Sequence, residues 1–540
     1  MNAERLLAHF ERISEAPDAI ARLRRFILDL AVRGKLVEQD PEDEPAEELL
    51  AQIAGSGLEM DDLPSAWCRA ELGSVLVFQY GKGLAASERL DCGLVPVYGS
   101  NGIVGYTDRP LFDDSSIIVG RKGSAGALNL CQGPSWATDV SYYVAAPAFF
   151  SLKYLLVALA ALDLDALGKG VKPGLSRSDA YAQLITIPPL AEQHRIVAKV
   201  DELMVFCDQL EAARQQREQG RERLVAATLQ RLNQPAADPA SFRQDASFAL
   251  QVLPHLTTTP AQIKQLRQTI LNLAVRGKLV EQDPEDEPAE ELVRLIADDK
   301  KLRMAERRIR APRNAHSVNS EDVPLDLPPS WKTFPLGDIS LVSDPNPSHR
   351  YPSYDGGTVP ILSTQEFSGL DGWNPSTAKL VQREFHDYQV DSCNFEPGDI
   401  VFARKGRIGL PRFLPSLERY AFSHTVFIVK PLCGVYPQYL LWALRRQAVV
   451  DWLTKEMNQN TGVPTLGKDK TERLPIPLPP LSEQHRIVAK VDELMALCDQ
   501  LEQQLSQADQ QRRRLLEALL AEALDGRLPT EQEESHAAIA

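Results

Sequence analysis

The sequence predicts an α+β protein with an internal pseudo-two-fold repeat, in which two mixed α/β domains are joined by long antiparallel coiled-coil helices. Two observations predict this fold. The string LAVRGKLVEQDPEDEPAEEL occurs at residues 30–49 and again, unchanged, at residues 273–292. The string EQHRIVAKVDELM occurs at residues 192–204 and 483–495, and CDQLE follows each copy after two residues. Identical repeats this far apart indicate a duplicated half-protein rather than a solenoid.

The repeated segments, which we term the frames, are predicted to be helical. Apolar residues recur at alternating spacings of four and three from Ile196 to Leu210 and from Ile487 to Leu501, the pattern of a coiled-coil seam. Prolines just before residues 192 and 483 mark where these long helices begin.

Two shorter helices are predicted in each frame. One covers about residues 20–32, with a second copy at 261–275, and a glycine follows each copy where the helix should end. The other begins after Pro45, and after Pro288 in the second copy, because proline is favoured in the first turn of a helix.

The segments between the frames, which we term module 1 and module 2, have diverged. Short β-rich runs such as SSIIVG and HTVFIVK, bounded by turn residues, predict small mixed α/β domains. Each module is predicted to carry one helix, near residues 151–162 in module 1 and 438–455 in module 2.

Two weaker repeats show that the modules are related. Both modules begin with L-P-x-x-W-x-x-x-x-L-G, whose tryptophans Trp67 and Trp331 are predicted to be core anchors. Both also contain R-K-G-x-x-G, at residues 121–126 and 404–409. Its glycines are typical of a turn with positive φ, so this motif is either a structural turn or a binding loop.

These patterns divide the chain into six segments. They are an N-terminal helical segment at 1–62, module 1 at 63–191, a central region with a long helix and a linker at 192–326, module 2 at 327–481, a C-terminal long helix at 482–526 and a disordered tail at 527–540.

The composition is that of a soluble globular protein, with 44% hydrophobic and 25% charged residues among 540. No apolar run is long enough for a transmembrane helix, and the first residues lack the layout of a signal peptide. Seven scattered cysteines indicate free thiols in a reducing cytoplasm. These observations predict a cytoplasmic protein with no membrane contact.

The net charge of −15 is unevenly distributed. Residues 64–190 contain 10 basic and 10 acidic residues, and residues 328–480 contain 16 basic and 15 acidic residues. The acidity therefore lies outside the modules, which leaves the modules able to approach phosphate groups.

Motifs that would indicate catalysis are missing from the sequence. There is no G-x-x-x-x-G-K-[S/T] loop, no Asn-Pro-Pro-aromatic or Asp-Pro-Pro-aromatic methyltransferase motif and no H-E-x-x-H pair. His194 and His485, in the repeated helices, are predicted to have a capping or interface role. We therefore predict a non-enzymatic chain with no catalytic, cofactor-binding or metal-ligating residues.

The paired frames, the two tryptophan-containing starts and the two R-K-G-x-x-G motifs together resemble the specificity (S) subunit of type I restriction–modification enzymes. The resemblance covers nearly the whole chain. It implies that the modules are target-recognition domains, each reading half of a split site in double-stranded DNA. It also implies that the helices act as a spacer and dock two modification (M) subunits.

The same resemblance implies that the cofactors belong to partner subunits. S-adenosylmethionine would be bound by the M subunits, and ATP and Mg by restriction (R) subunits that join through the complex. Because the modules differ in length and sequence, the DNA site is expected to be asymmetric.

The candidate DNA-binding residues are polar or basic side chains in predicted turns of the modules, since such groups reach base edges and phosphates. In module 1 they are Gln79, Tyr80, Lys82, Ser100, Asn101, Arg121, Lys122, Ser124, Lys169, Lys172 and Arg177. In module 2 they are Thr364, Gln365, Arg404, Lys405, Arg407, Asn458, Asn460, Lys468 and Lys470.

Arg177 and Lys468 occupy matching positions before the end of each module, which fits a shared phosphate contact. The segment around Asn458 and Asn460 could instead be an ordinary solvated turn. Two other functions remain open from the sequence: a protein-interaction scaffold whose modules bind proteins, and a metal-dependent nuclease with unrecognised carboxylates.

Overall fold

The computed structural model describes residues 15–44, 63–170, 172–234, 238–287, 289–306, 327–350, 352–415, 419–457 and 465–525. These residues form two compact units. Unit 1 comprises the described parts of Met1–Glu218 and Gln507–Ala540, and unit 2 those of Gln219–Ser506. The predicted helix after Pro45, most of the linker before residue 327 and the predicted tail lie outside the described residues.

The α-helices alternate with the strands of the two modules. They are α1 (Ala19–Val32), α2 (Leu72–Val75), α3 (Leu152–Ala161), α4 (Arg177–Tyr181), α5 (Leu190–Asn233), α6 (Pro239–Leu256), α7 (Pro260–Ala274), α8 (Ala289–Glu306), α9 (Leu336–Ile339), α10 (Arg383–Cys393), α11 (Pro437–Leu444), α12 (Gln447–Glu456), α13 (Lys468–Glu472) and α14 (Leu481–Asp525).

The strands are short and lie within the modules. Those of module 1 are β1 (Cys68–Glu71), β2 (Gln79–Tyr80), β3 (Val95–Tyr98), β4 (Ile103–Thr107), β5 (Ser116–Gly120), β6 (Leu128–Cys131), β7 (Trp136–Ala137), β8 (Ser141–Ala145) and β9 (Leu184–Ile187). Those of module 2 are β10 (Lys332–Pro335), β11 (Ser340–Ser343), β12 (Val359–Leu362), β13 (Phe367–Ser368), β14 (Gly372–Trp373), β15 (Lys379–Val381), β16 (Ile400–Ala403), β17 (Pro411–Phe413), β18 (Ala421–Phe422), β19 (Val426–Pro431) and β20 (Pro475–Leu478).

The two modules share one sheet topology. Module 1 has a four-stranded sheet in the order β2-β8-β5-β6 and a three-stranded sheet in the order β4-β3-β7. Module 2 has the corresponding sheets β11-β19-β16-β17 and β15-β12-β18. In each module the first strand pairs antiparallel with the last, β1 with β9 and β10 with β20, so the chain enters and leaves each module side by side.

The frame helices lie where the sequence predicts them, and both long helices begin directly after the predicted prolines. In unit 1 the seam residues Ile196 and Val200 are buried against Ile20 and Ile27 of α1 and against the core of module 1. In unit 2 the matching seam packs in the same way against α7 and the core of module 2. The prediction that the two long helices pair in antiparallel orientation stays a prediction.

The far ends of the two long helices have different partners. The end of α5, through Val225 and Leu229, packs against α6 in unit 2. The end of α14, through Leu516 and Leu519, packs against Phe26 of α1 in unit 1. The sequence analysis did not predict α6, so the central region contains more helix than expected.

The prediction of one helix in each module is wrong. The expected helix at residues 438–455 is two helices, α11 and α12, separated at Arg445 and Arg446. Arg446 has extended backbone angles (φ −66°, ψ 145°), which end the helical path, and its buried Nε donates to Ala443 O at 2.9 Å. Module 2 also contains α10, and both modules contain a short helix before their last strand.

Each module is fastened to its frame by the same set of contacts, which we term the joint. In unit 1, Trp67 Nε1 donates to Glu192 Oε2 at 2.8 Å, and Gln39 Nε2 donates to Glu192 Oε1 at 2.7 Å. In unit 2, Trp331 Nε1 donates to Glu483 Oε2 at 2.9 Å. The prediction that both tryptophans are core anchors is confirmed, since they are 5% and 6% exposed.

A glycine completes each joint at the end of the first frame helix. Gly34 has φ +67° and Gly277 has φ +64°, so both adopt a left-handed conformation that favours glycine. A Cβ atom at either glycine would lie 2.4 Å from the Cγ of the proline that starts the module, Pro64 or Pro328. The close approach therefore fixes where each module begins relative to its own frame.

None of the described helices is both long and apolar enough to cross a membrane.

Candidate nucleic-acid interface

In module 1 the turns that carry the candidate residues meet at one edge of the four-stranded sheet. The R-K-G turn, residues 121–126, follows β5. Its Lys122 N–H donates to Val140 O at 3.1 Å, which ties it to the turn before β8. Its Gly123 N–H donates to Pro173 O at 2.9 Å, which ties it to the segment before α4.

The other two turns join the same edge through backbone contacts. Lys82 N–H donates to Ala137 O at 2.9 Å, which places the turn after β2 beside β7. A Cβ atom on Gly120 would lie 2.5 Å from Ser100 O, so the turn after β3 lies directly against the end of β5. The fold thus brings together candidates that are up to about one hundred residues apart in sequence.

All the module 1 candidates are accessible at this edge. Ser100 and Arg121 are partly exposed, and the remaining candidates, Gln79, Tyr80, Lys82, Asn101, Lys122, Ser124, Lys169, Lys172 and Arg177, are exposed. Lys169 forms an ion pair with Asp179 at 2.9 Å. No candidate in this module is part of the buried core.

Two arginines of module 1 lie over the same aromatic ring. The guanidinium carbon of Arg121 lies 5.0 Å from the centre of the Tyr80 ring, and that of Arg177 lies 4.7 Å from it. Arg121 Nη1 also donates to Asp139 O at 2.8 Å. A guanidinium stacked on an aromatic ring keeps its charge while its orientation is restricted.

Module 2 builds the same edge from matching turns. Its R-K-G turn, residues 404–409, follows β16, and Leu466 N–H donates to Arg404 O at 2.9 Å, as Leu175 does to Arg121 in module 1. Thr364 Oγ1 donates to Lys405 O at 3.3 Å, which brings the turn after β12 to the same place.

The turn itself has the same backbone conformation in both modules. Gly123 and Gly126 have φ of +86° and +79°, and Gly406 and Gly409 have φ of +75° and +78°. The prediction that these glycines adopt positive φ is confirmed. The motif is a structural turn, and its exposed side chains remain candidates for binding.

Arg404 is placed very differently from its counterpart Arg121. Its side chain is 6% exposed and lies 4.3 Å from the Phe427 ring. Its Nη1 donates to Asp344 Oδ2 at 2.7 Å and its Nε donates to Leu466 O at 3.2 Å. Burial lowers the pKa of Arg404, and the attraction of Asp344 opposes that effect. Arg404 is thus occupied by internal contacts, and its role toward DNA stays a prediction.

The remaining described candidates of module 2 form a smaller accessible set. Gln365, Arg407 and Lys468 are exposed, Lys405 and Lys470 are partly exposed, and Thr364 is buried. Arg407 Nη1 donates to Phe367 O at 3.2 Å. Asn458 and Asn460 lie outside the described residues.

Module 2 carries a hairpin at this edge where module 1 has only a tight turn. In module 1, β3 connects to β4 through residues 99–102, whereas β12 connects to β15 through residues 363–378, which contain β13 and β14. The guanidinium of Arg412 lies 3.7 Å from the Phe367 ring, beneath the hairpin, and burial lowers its pKa to about 10. The hairpin exposes Leu370, which is 55% accessible.

Sequence reasoning missed the residues that hold these candidates in place. Asp344, His349 and His424 surround the R-K-G turn of module 2: His349 lies 3.2 Å from the Asp344 carboxylate, and the two imidazole rings are 5.9 Å apart. Their sequence neighbourhood carries no motif. Only the pairing of β11 with β19, whose last registered pair is Ser343 with Ile428, would have placed Asp344 beside the turn.

The side chains at both edges are suited to binding a ligand. The exposed groups are donors and cations suited to phosphate oxygens and base edges, arranged on turns that a sheet supports. Within the described ranges, no group of three or more His, Cys, Asp or Glu side chains is arranged to hold a metal ion.

Comparison with known proteins gives the chain a consistent set of relatives. The sequence profile of the type I restriction modification DNA specificity domain matches residues 64–218 and 328–508. The chain is 26% identical to the type I restriction enzyme EcoEI specificity subunit of Escherichia coli over an alignment 580 positions long, which covers 94% of each chain. It is also 26% identical to the EcoAI specificity subunit of the same organism over 590 residues, again with 94% of each covered.

Solved structures give matches of low identity. A chain from a structure of a type I R-M system assembly is 18% identical, covers 85% of this chain and 98% of its own length, and has a TM-score of 0.47. The HsdS subunit from Thermoanaerobacter tengcongensis is 18% identical, covers 86% of this chain and 98% of its own length, and has a TM-score of 0.37.

Proposed function

The chain belongs to the family of type I restriction–modification DNA specificity domains, and from this membership we propose that its two modules are target-recognition domains that each read half of a bipartite DNA site. The chain is the DNA sequence-specificity subunit of such a system. One observation supports the division of labour most strongly. The R-K-G turn has the same backbone conformation in both modules, while its first arginine makes different contacts: Arg121 with Asp139 O and Arg404 with Asp344.

The difference between the modules supports an asymmetric target. Module 1 presents Tyr80, Arg121 and Arg177 at its edge, whereas module 2 presents Lys405 and Arg407 beside a hairpin. Differences in the kind and position of the donors support differences in the bases that the two surfaces contact. The half-sites are therefore expected to differ in sequence.

The test is an exchange of one module. In the chain assembled with its M subunit, residues 64–190 are replaced by a module of different sequence, and binding sites are selected from random DNA and sequenced. One half of the selected site should change while the other half is retained. A change in both halves would show that the modules do not read independently.

We propose that the exposed faces of α5 and α14 each dock one M subunit. Phe206 and Leu497 occupy matching positions in the two copies and are 52% and 51% exposed. The identical acidic pairs Asp201-Glu202 and Asp492-Glu493 lie one turn earlier and are also exposed. Two copies of one exposed face support binding of two copies of one partner.

The two docking faces can be tested separately by counting M subunits. Phe206→Asp should leave a complex with one M subunit, Leu497→Asp should do the same, and the double variant should bind none. Native mass spectrometry gives the stoichiometry directly. Val77→Asp, at a 67% exposed apolar residue of module 1, is the matched control and should keep both M subunits.

In this assignment the chemistry belongs to the partners. The chain has no catalytic role and acts in the cytoplasm, S-adenosylmethionine is held by the M subunits, and ATP and Mg are held by R subunits that join through the complex. A scaffold that binds proteins through its modules would show no DNA selection in the module exchange. A nuclease would cleave DNA as the isolated chain.

A further inference from the structure

Tyr80 is an exposed aromatic residue whose ring lies close to two guanidinium groups. It lies on β2 at the candidate interface and is 47% exposed. The Arg121 and Arg177 guanidinium carbons lie 5.0 and 4.7 Å from its ring centre. In the part of the chain that the structure describes, the Tyr80 ring has one aromatic neighbour, the ring of Tyr142, 5.1 Å away.

Backbone carbonyls fix the same two arginines from the other side. Arg121 Nη1 donates to Asp139 O at 2.8 Å, and Arg177 Nη1 donates to Phe78 O at 3.3 Å. Among the described residues, no carboxylate forms an ion pair with either arginine. Each guanidinium is thus oriented by a ring and a carbonyl while its charge stays uncompensated and several of its N–H groups stay unused.

An oriented, uncompensated guanidinium suits guanine better than phosphate. A bidentate contact from arginine to O6 and N7 of guanine needs the planar group in one orientation, whereas a phosphate accepts donors from many directions. Restricting the side chain before binding also lowers the entropy lost on complex formation. The lysines nearby carry a compact charge on a flexible side chain, which suits phosphate contacts.

We propose that Tyr80 is the positioning residue of an arginine pair, Arg121 and Arg177, that reads guanine in the half-site of module 1. The inference rests on the proposed function, because it names the base class that one of the two target-recognition domains selects. Module 2 does not have this arrangement of two arginines over a tyrosine ring. The residue that follows β11 at the matching place is Asp344, which binds Arg404 inside the module.

The experiment uses the full chain with its M subunit and a library of random DNA from which bound sites are sequenced. In Tyr80→Ala, the preference for guanine at one or two positions of the module 1 half-site should fall about tenfold, the scale of one lost bidentate contact. The module 2 half-site should be unchanged. Tyr80→Phe keeps the ring and should keep the preference. Tyr388→Ala, at a 55% exposed tyrosine of module 2, is the matched control and should leave both half-sites unchanged.

A second variant keeps the test decisive if Tyr80→Ala unfolds module 1. Arg177→Lys retains the charge and removes the planar donor group, so the guanine preference should fall while the dependence of affinity on salt concentration stays the same. Equal weakening for all sequences with a smaller salt slope would show a phosphate contact and overturn the inference. A wild-type module 1 half-site without guanine would also overturn it, with the proposed function left standing. Selection of no sequence at all by the wild type would overturn both.

Discussion

The R-K-G turns of the two modules have the same backbone conformation, but the first arginine of each turn makes different contacts. In module 1, Arg121 lies over the exposed ring of Tyr80 and faces the candidate interface. In module 2, Arg404 is buried and paired with Asp344. The residue across the sheet decides the outcome: an aromatic ring leaves the guanidinium at the surface, and a carboxylate draws it inside. A repeated motif therefore determines the path of the backbone without determining what its side chains contact.

The joints show the opposite behaviour. Trp67 with Glu192 and Trp331 with Glu483 make the same hydrogen bond, at 2.8 and 2.9 Å. Two further contacts of the frame also match: Arg24 and Arg267 each bind an aspartate and a glutamate on the long helix of their own unit. In the frames, both the side chains and their contacts are the same in the two copies. In the R-K-G turns of the modules, the backbone conformation is the same but the side-chain contacts differ.

The largest expected effect is the loss of a joint. Trp67→Ala and Trp331→Ala should each destabilise their unit by about 3–5 kcal/mol, because each removes a buried indole and a partner of a buried carboxylate. Urea unfolding of the full chain, with hydrogen exchange to assign each transition to a unit, measures both. Trp67→Phe, which removes mainly the N–H donor, should cost about 1–3 kcal/mol.

The comparison of the joints predicts equal losses in the two units. If one tryptophan could be replaced at little cost while the other could not, the joints would not be equivalent despite their matching geometry.

The second effect separates the two arginines. Arg404→Ala leaves Asp344, whose side chain is 14% exposed, without its cation, and should destabilise unit 2 by about 2–3 kcal/mol. Arg121→Ala removes an accessible side chain and should cost less than about 1 kcal/mol. DNA affinity should fall directly in Arg121→Ala, and in Arg404→Ala only together with stability.

A double variant distinguishes a broken ion pair from a general loss of packing. Arg404→Ala combined with Asp344→Ala should be less destabilised than the sum of the single variants, since both charges are then gone. Additive losses would mean that Arg404 acts mainly through its contact with Phe427.

The smallest effect is a pH dependence shared by both joints. Burial raises the pKa of Glu192 and Glu483 above the ordinary value. Hydrogen bonds from Trp67 and Gln39 to Glu192, and from Trp331 and Gln282 to Glu483, oppose this. A carboxyl with a raised folded-state pKa contributes stability below its unfolded pKa, about 4.3, and loses that contribution as pH rises through the folded value. The free energy of unfolding of the wild type should therefore fall, relative to Glu483→Gln, as pH rises from about 4 to 7.

Glu192→Gln should show the same relative slope in unit 1. Unfolding curves at several pH values for the two variants and the wild type give both slopes. If the free energy of unfolding depended on pH in this way in one unit only, the two buried carboxyls would have different surroundings.

The helices of the frames could be predicted well because the residues that determine them lie close together in the sequence. The spacing of Ile196, Val200 and Cys207 and the prolines and glycines at the helix ends all act within a few residues of one another. The strands of the modules could be recognised for the same reason. The division of residues 438–455 into two helices could not, because it depends on the burial of Arg446, a tertiary effect.

The candidate interface was predictable in part. The turns that would meet could be named from their polar residues, and the structure brings the described ones together. What could not be predicted is which arginine faces outward. Arg121 and Arg404 stand in the same motif, and their different contacts depend on remote residues: Tyr80 on β2 and Asp344 just after β11. The sequence around Arg121 or Arg404 does not indicate how the strand that brings Tyr80 or Asp344 close to it is paired.

The joints have a consequence for how such a chain can change over generations. A new module can form the same joint if it has a proline at its start, a tryptophan three residues later, a last strand that pairs with its first and an apolar core facing the frame helices, as module 1 does. The rest of the module can differ in sequence, as residues 64–190 and 328–480 differ between the identical frame sequences. One recombination event at these sequences can therefore replace a whole module while the contacts of the joint are retained.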